Sequence, residues 1–471
     1  MRLRPLTVAC LSVVALLNGC AVGPDFKRPD IAVPSSFAEA KGWKVAEPQD
    51  QTPAGPWWEL YNDPLLSELV QQVSISNQNV LVAEAQFRQA QALVSQSRAA
   101  WFPTLSGSVS DTRNKGASTS GLLSNGGPIH TSDRINLASS WELDVWGRIS
   151  RTVEVNDTSA QASAADLAAA RLSAQATLAQ SYLQLRINDA NQRLLNETLV
   201  AYQRSYDITN NRYQAGVASQ ADVAQADTQL KSTQAQSIDL GIQRAQLQHA
   251  IAILIGKPPS EFKIAAVNSV PTLPEIPLAL PSTLLERRPD VAAAERRAAA
   301  ANAQIGVAQA AFFPALTLSA NGGYQNSTFT DIISTPYRFW SIAPTLALTL
   351  FDAGARSAVK EQAVAGFDKA AATYRQTVLS AFQEVEDNLA ALTILAEEKE
   401  VQKAATAAAN QFLTLTNNQY LAGTVSFLNV ATAQTAALSA ERSSLDLLNR
   451  QFAASVTLLK ALGGSDWRQV Q

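Results

Sequence analysis

The chain has 471 residues, of which only 16 % are charged, and its formal net charge is −3. A near-neutral chain lacks the basic surface that neutralises phosphates, so no nucleic-acid partner is expected. Two histidines and two cysteines leave too few ligands for a metal cluster, so no metal site is predicted.

Residues 1–19 are predicted to be a secretory signal peptide, because two arginines precede an apolar stretch from Leu6 to Leu17. The sequence Leu17-Asn18-Gly19-Cys20 resembles a lipobox, in which the cysteine thiol receives a lipid and the signal is cleaved. We therefore expect Cys20 to be the acylated first residue of the mature chain, with no other cofactor. An ordinary buried thiol is the alternative. Ala21 stands where an aspartate could signal retention in the inner membrane, which favours the outer membrane.

The rest of the chain is internally duplicated, and duplication decides architecture before any single motif does. Ala99-Ala100-Trp101-Phe102-Pro103 recurs 211 residues later, and Asn210-Asn211-Arg212-Tyr213-Gln214-Ala215-Gly216 recurs 207 residues later. The predicted organisation is a lipidated N-terminal segment at 20–63, a first repeat at 64–256, a middle segment at 257–286, a second repeat at 287–463 and a tail at 464–471.

Each repeat is predicted to run in the order helix, two-stranded hairpin, very long helix, tight turn and helix. The predicted bounds of the two strands, the long helix and the last helix are about 104–113, 134–145, 149–213 and 219–255 in the first repeat, and about 315–325, 338–350, 354–420 and 427–462 in the second. The first long segment has no proline and carries a heptad-like run at Leu195, Leu199, Tyr202, Tyr206, Thr209 and Tyr213. At about 1.5 Å per residue, such a helix is roughly 90–100 Å long.

The predicted strands alternate apolar and polar residues, most clearly around Ile135, Leu137 and Trp141. About ten residues is the length at which a tilted strand crosses a bilayer. Four strands cannot close on themselves, and each unpaired backbone group in hydrocarbon costs several kcal/mol, so a monomer is not expected to insert. Two, three or four copies would complete a closed barrel.

Aromatic residues mark every predicted boundary between a helix and a strand. The set comprises Trp101, Phe102, Trp146, Phe312, Phe313 and Phe351. Such rings prefer the boundary between water and lipid, so we predict that they lie at the membrane interface. Ordinary core aromatics at helix ends are the alternative.

Three motifs resemble those of a known family. They are Gly19-Cys20-Ala21-Val22-Gly23-Pro24-Asp25-Phe26-Lys27-Arg28-Pro29, Trp57-Trp58-Glu59-Leu60-Tyr61-Asn62-Asp63-Pro64-Leu65-Leu66 and Leu280-Pro281-Ser282-Thr283-Leu284-Leu285-Glu286-Arg287-Arg288-Pro289-Asp290. Nearly the whole mature chain resembles the outer-membrane efflux lipoproteins of the TolC superfamily, in the OprM and NodT branch that serves resistance-nodulation-division (RND) pumps.

This resemblance implies a mixed α and membrane-β, TolC-like fold. Three identical chains would form a 12-stranded β-barrel and a 12-helix α-barrel tunnel, with an equatorial domain built from the non-repeating segments. The resemblance also implies an outer-membrane channel that is lipid-anchored and extends into the periplasm of a Gram-negative cell. Through it, small molecules such as drugs or toxic compounds would pass passively from the periplasmic tunnel to the cell exterior. The implied partners are a periplasmic adaptor protein and an inner-membrane RND pump.

Two turns join the long helices to their partners, at Tyr213 to Gly216 and at Tyr420 to Gly423. A glycine just past a helix end supplies the positive φ that such turns commonly need. In the family, the corresponding turns lie at the periplasmic tip of the tunnel, so the resemblance also implies adaptor contact there.

The resemblance further implies a gate at this tip, formed by a leucine and an aspartate four residues later. Leu428 matches the leucine, but Thr432 stands at the aspartate position. We therefore expect a hydrophobic ring of Leu428 with hydroxyl groups beneath it. Asp222 on the paired turn could supply a carboxylate, although a solvated aspartate at a helix start is an equal alternative.

Other functions fit the sequence less well. The carboxylate pairs Glu59 with Asp63 and Glu142 with Asp144 have no catalytic partners at a recognisable spacing, so no enzyme is predicted. An outer-membrane duct for type I protein secretion is the main alternative within the superfamily. A structural periplasmic coiled coil is the alternative from another class, and it leaves the duplicated strands unexplained.

Overall fold

The computed structural model describes residues 22–30, 56–115, 129–267, 270–274 and 288–464. Cys20, the predicted signal peptide and most of the motif that begins at Leu280 lie outside these residues. The chain divides into two compact units. Within the described ranges, the first unit comprises residues of 1–30, 86–163 and 293–374, and the second comprises residues of 31–85, 164–292 and 375–471.

The first unit contains one four-stranded antiparallel sheet in the order β1-β2-β3-β4. The strands are β1 (Thr104–Lys115), β2 (Ile129–Leu143), β3 (Ala315–Asn326) and β4 (Arg338–Ala347). The mixed α and β fold that the sequence predicts is therefore present.

Two strands differ from their predicted bounds for reasons of pairing. β2 begins at Ile129, five residues before the predicted start, because β1 continues to Lys115 and pairs with it there. β2 also ends two residues early, because Asp144 begins the turn into the next helix. β4 ends at Ala347 instead of 350, because its partner Ala315 is the first residue of β3 and follows Pro314.

Seven α-helices are described: α1 (Pro64–Ser76), α2 (Gln78–Ala99), α3 (Arg148–Gln214), α4 (Gln220–Leu254), α5 (Pro289–Ala310), α6 (Ala355–Leu421) and α7 (Phe427–Ala461). α2 and β1 recur as α5 and β3, both displaced by 211 residues. α3 and α4 recur as α6 and α7, both displaced by 207 residues. The duplication in the sequence is thus also a duplication of structural elements.

The core of the second unit holds a short 3-10 helix, Trp57–Tyr61, from the Trp-Trp motif. Trp57 and Tyr61 are almost fully buried, and the Tyr61 hydroxyl contacts Ser455 Oγ of α7 at 2.7 Å. Burial raises the pKa of Tyr61, so its phenol stays neutral and keeps this hydrogen bond. The motif therefore fastens the chain before α1 to the last long helix.

The two longest helices, α3 and α6, have 67 residues each. Along α3, Leu195, Tyr202 and Thr209 are buried at seven-residue intervals, as the heptad-like run predicts. Among the described residues, no helix combines the length and the apolar character that crossing a bilayer requires.

Candidate channel surfaces

One face of the sheet is apolar and exposed. The register aligns Val109, Ile135 and Tyr324 on three neighbouring strands, and residues two apart along a strand share a face. This apolar face carries Leu105, Val109, Leu137, Trp340, Ile342 and Leu346, each more than half exposed in the single chain. Contiguous exposed apolar surface marks a contact with lipid or with another protein.

The opposite face of the sheet is polar. The register aligns Ser106, Ala138, Asn321 and Ser341 across all four strands. The same face carries Thr104, Ser108, Ser110, Asn136, Ser140, Thr317, Ser319 and Thr345. A sheet with one apolar and one polar face suits a strand wall between lipid and water.

All six predicted interface aromatics lie at one end of the strands, which we call the aromatic edge of the sheet. The pairs Thr104 with Ser140 and Ala315 with Ala347 show that β1 and β3 begin where β2 and β4 end. Trp101, Phe102, Phe312, Phe313 and Phe351 are exposed there, and Trp146 is half-buried. Their location agrees with a belt of interface rings, and that role remains a prediction.

Two tryptophans at this edge have their indole N–H groups satisfied. Trp146 stacks on Phe313 at a centroid distance of 4.8 Å and donates to the Pro314 carbonyl at 2.8 Å. Trp141 donates to the Trp101 carbonyl at 3.0 Å. The first bond joins the segment after β2 to the residue before β3, and the second joins β2 to the segment before β1. These bonds hold the two indole rings in place.

The carboxylates that the sequence offered as catalytic candidates have structural partners. Asp144 accepts hydrogen bonds from the backbone N–H groups of Ile149 and Ser150, which caps the start of α3. Glu142 accepts two hydrogen bonds from Arg148, at 2.8 and 2.6 Å. The same device recurs at the start of α6, where a hydrogen bond from Arg356 lowers the pKa of Asp352.

Residues 22–30 are held against α3 and α5 of the first unit. The Val22 N–H donates to the Trp146 carbonyl at 3.2 Å, and Asn302 donates to the Pro24 carbonyl at 2.8 Å. The buried Arg151 guanidinium donates to Asp25 at 3.0 Å. This segment belongs to the motif that begins at Gly19, but its contacts were not predicted from the sequence.

A close backbone crossing explains why this segment contains a glycine. A Cβ atom on Gly23, whose φ is +112°, would lie 2.5 Å from the Cα atom of Gly306 on α5. Both residues must therefore be glycine for the segment to lie on the helix.

The two tip turns have the same geometry. Gly216 and Gly423 both have φ of +76°. The N–H groups of Gly216 and Gly423 donate to the carbonyls of Tyr213 and Tyr420. The N–H of the residue after each glycine donates to the carbonyl of Arg212 in the first turn and of Gln419 in the second. This is the Schellman arrangement that the glycines predict.

The side chains around these turns are less alike. Tyr213 is exposed, whereas Tyr420 is buried and its hydroxyl contacts Thr209 Oγ1 at 3.0 Å. Arg212 donates to the Tyr420 carbonyl at 3.0 Å, and its guanidinium lies 4.8 Å from the Tyr420 ring centroid. The Tyr420 ring also packs edge-on against Phe427. This asymmetry was not predicted, although the sequence signals it by placing Gln419 at the repeat position of Arg212.

The three proposed gate residues lie near these turns. Leu428 is 61 % exposed in the first turn of α7, and Thr432 follows one turn later on the same side of the helix. The Thr432 hydroxyl donates to the Leu428 carbonyl at 2.9 Å. The Asp222 carboxylate bonds the N–H and the hydroxyl of Ser219 in a capping box, so it has a local structural role.

The second unit contains a buried polar network that was not predicted from the sequence. Asp63 caps α1 and accepts a hydrogen bond from the Tyr182 hydroxyl at 2.6 Å. That hydroxyl accepts two hydrogen bonds from Arg186, at 2.9 and 2.6 Å. Arg244 pairs with Asp189 at 2.7 Å and donates to the Ile264 carbonyl. The network ties residues outside the repeats to the long helices.

In the second unit, α3, α4, α6 and α7 line a polar cavity of about 810 Å³ that is open to solvent on one side. Its lining includes Asn188 of α3, Gln236 of α4, Gln402 of α6 and Ser439 of α7. Arg450 and Glu398 form an ion pair at its wall. This polar lining fits helices that pack along one stripe and face water on another side.

A duplicated chain with a two-faced sheet and long helices that line polar space is a subunit of a TolC-like membrane channel. Residues 69–257 and 280–464 match the profile of the outer membrane efflux protein family. The chain belongs to this family, and it is an outer-membrane channel component of an efflux system.

Individual relatives agree over almost their whole length. The chain is 29 % identical to the probable efflux pump outer membrane protein TtgC of Pseudomonas putida, covering 98 % of this chain and 96 % of that one. It is 30 % identical to the solvent efflux pump outer membrane protein SrpC of Pseudomonas putida, covering 95 % and 96 %. Among solved structures, the outer-membrane channel OprN matches with a TM-score of 0.89 and 31 % identity over 95 % of this chain and all of that one.

Proposed function

We propose that three copies of this chain form one aqueous channel, through which small molecules leave the periplasmic tunnel of an RND-type pump. The observation that carries this proposal is the open four-stranded sheet with its exposed apolar face. Among the residues that the structure describes, β1 and β4 each have one unpaired edge, which lipid cannot satisfy. Three copies supply twelve strands, the number that the family resemblance implies, and pairing β4 with the next β1 closes the sheet.

In this arrangement the apolar face contacts lipid and the polar face lines the lumen. The serine, threonine and asparagine side chains of the polar face hydrate the passage without a strong affinity for any one solute. Passage is therefore passive, and the energy comes from the inner-membrane pump. We infer that the chain has no enzymatic activity. Asp63 and Asp144 cap helices and Glu142 pairs with Arg148, which supports this inference.

A lipid on Cys20 would be held beside the aromatic edge of the sheet. Val22 is bonded to Trp146, and two residues of chain span at most about 7 Å. The acyl chains would therefore enter the inner leaflet of the outer membrane close to the interface rings. This agreement between an N-terminal contact and the aromatic edge supports the lipid anchor.

The helical turns at Gly216 and Gly423 are proposed to meet a periplasmic adaptor protein. The exposed side chain of Leu428 beside the second turn supports a hydrophobic constriction at this end of the tunnel. Thr432 places a hydroxyl one turn further along, so the constriction carries no fixed charge at that level. Asp222 is retained in its capping box and is not required for closure.

The experiment is to purify the acylated protein in detergent and record currents in planar bilayers. A heat-sensitive trimer that conducts ions supports the proposal, and a monomer that passes no current contradicts it. A duct for type I protein secretion is the alternative, and it is tested in cells. Deletion of the gene should raise sensitivity to small toxic compounds without stopping export of any secreted protein.

A further inference from the structure

One unpaired charge lies on the polar face of the sheet. In the described parts of β1 to β4, the Asp, Glu, Lys and Arg residues on this face are Arg134 and Glu142. Glu142 is neutralised by its two hydrogen bonds from Arg148. Arg134 faces Ser110 on β1 and Gln325 on β3, neither of which is charged.

An aromatic ring holds Arg134 in place where an ion pair would otherwise be expected. Its Cζ atom lies 4.4 Å from the ring centroid of Phe339 on β4, and its buried Nε has no hydrogen-bond partner. Gly323 of β3 is the register partner of Phe339 and carries no side chain, so the guanidinium can extend across β3. A cation–π contact fixes the guanidinium but leaves its charge uncompensated.

The nearest carboxylates in the sheet are on the other face. Asp111 and Asp133 are register partners of each other, two pairs along from Val109 and Ile135, and so lie on the same face as those two residues. Arg338 also lies on that face, since it pairs with Tyr324. The backbone of the sheet therefore separates these charges from Arg134, and the net fixed charge of the polar face is positive.

We propose that Arg134 gives the lumen of the channel a preference for anions at the end of the sheet away from the helix junctions. The inference rests on the proposed function, because three copies would place three such guanidinium groups around one passage. A fixed charge raises the local concentration of counter-ions in a low-dielectric cleft. Carboxylates, phosphates and other anionic solutes would pass this level more readily than cations of the same size.

The preference should depend on salt, which separates it from a steric effect. The screening length is about 30 Å at 0.01 M salt and about 3 Å at 1 M. Three charges around a passage wide enough for small molecules therefore act on its whole width only at low ionic strength. Reversal potentials across KCl gradients measure the ratio of chloride to potassium permeability directly.

The test compares single-channel reversal potentials of the wild type with four variants. Arg134→Gln removes the charge, and Arg134→Lys keeps it. Arg338→Gln is the matched control, since it removes one arginine from the opposite face. Ser110→Asp leaves Arg134 in place and sets a carboxylate opposite it, which guards against a folding defect in the first variant.

We expect Arg134→Gln and Ser110→Asp to lower the ratio of chloride to potassium permeability by about two-fold or more at low salt, with no difference at about 1 M. Arg134→Lys and Arg338→Gln should retain the wild-type ratio. Equal ratios in all five proteins, or an equal shift in Arg338→Gln, would overturn the inference while leaving the channel intact. A wild type that passes no current would instead overturn the proposed function, and this inference with it.

Discussion

The backbone N–H of Val22 donates to the carbonyl oxygen of Trp146 at 3.2 Å. This bond holds Val22 at the connection between β2 and α3. It places the predicted acylation site within reach of the aromatic edge of the sheet.

Replacing the predicted acylation site should therefore remove the proposed anchor without undoing the fold. In Cys20→Ser, we expect labelling with radioactive palmitate to be abolished, because no other thiol remains in the mature chain. The contacts of Arg151 and Asn302 to residues 23–25 do not involve the lipid, so the channel architecture should be mostly retained. Cys10→Ser is the control and should label normally. Persistent labelling in Cys20→Ser would show that the anchor is misassigned.

The exposed Leu428 side chain gives a prediction for the gate. Leu428→Ser should raise the basal conductance in planar bilayers by roughly several-fold, because a hydrophobic constriction blocks ions by excluding water. Leu415→Ser removes a similarly exposed leucine from α6 and should leave the conductance unchanged. If Leu428→Ser conducts like the wild type, Leu428 is not part of the gate.

The Tyr182 hydroxyl holds two charged groups together inside the second unit. Burial, followed by its bond to Asp63, raises the pKa of Tyr182, so the neutral hydroxyl persists. Tyr182→Phe should destabilise the fold by roughly 1.5–3 kcal/mol, because Arg186 and Asp63 each lose a partner.

The measurement is the unfolding temperature of the purified protein in detergent at one fixed heating rate. Tyr202→Phe is the matched control, since the Tyr202 hydroxyl receives only a long 3.4 Å contact from Gln229. We expect a clear decrease for Tyr182→Phe and a much smaller one for the control. Equal decreases would mean that the network contributes no more than an ordinary buried hydroxyl.

Arg212 bonds the second tip turn, and we expect these bonds to make it stiffer than the first. Arg212→Gln places at this position the residue found at its repeat position, Gln419, and removes the bonds to the carbonyls of Tyr420 and Leu421. We expect amide hydrogen exchange of residues 420–424 to become about ten-fold faster, the effect of losing about 1.4 kcal/mol of local stability. Arg204→Gln, an exposed arginine of α3, is the control. Unchanged exchange in Arg212→Gln would show that the turn is held by Phe427 packing alone.

Sequence periodicity and duplication were sufficient to predict the strands, the long helices and their order, because both signals are local or repeat at a fixed offset. The contacts of Arg151 with Asp25 and of Tyr182 with Asp63 were not predictable in this way. Each joins single residues more than 110 positions apart, and no periodic pattern records such a pairing. The end of β4 was missed for a related reason, since it is set by Pro314 before its partner strand.

The central claim is that β4 of one copy pairs with β1 of the next. Within one chain these strands lie three strand spacings apart, about 14 Å, which is too far for a disulfide. Double-cysteine variants join Ser108→Cys on β1 with Ser341→Cys, Ala343→Cys or Thr345→Cys on β4. The control pair, Ser108→Cys with Asn136→Cys, joins register partners of the same chain and should give only monomer.

Denaturing gels after oxidation then give a direct answer. We predict that at least one of the β1 and β4 pairs yields a covalent trimer that dissociates on reduction. If every such pair remains monomeric while the control disulfide forms, the copies do not share one closed sheet and the account is contradicted.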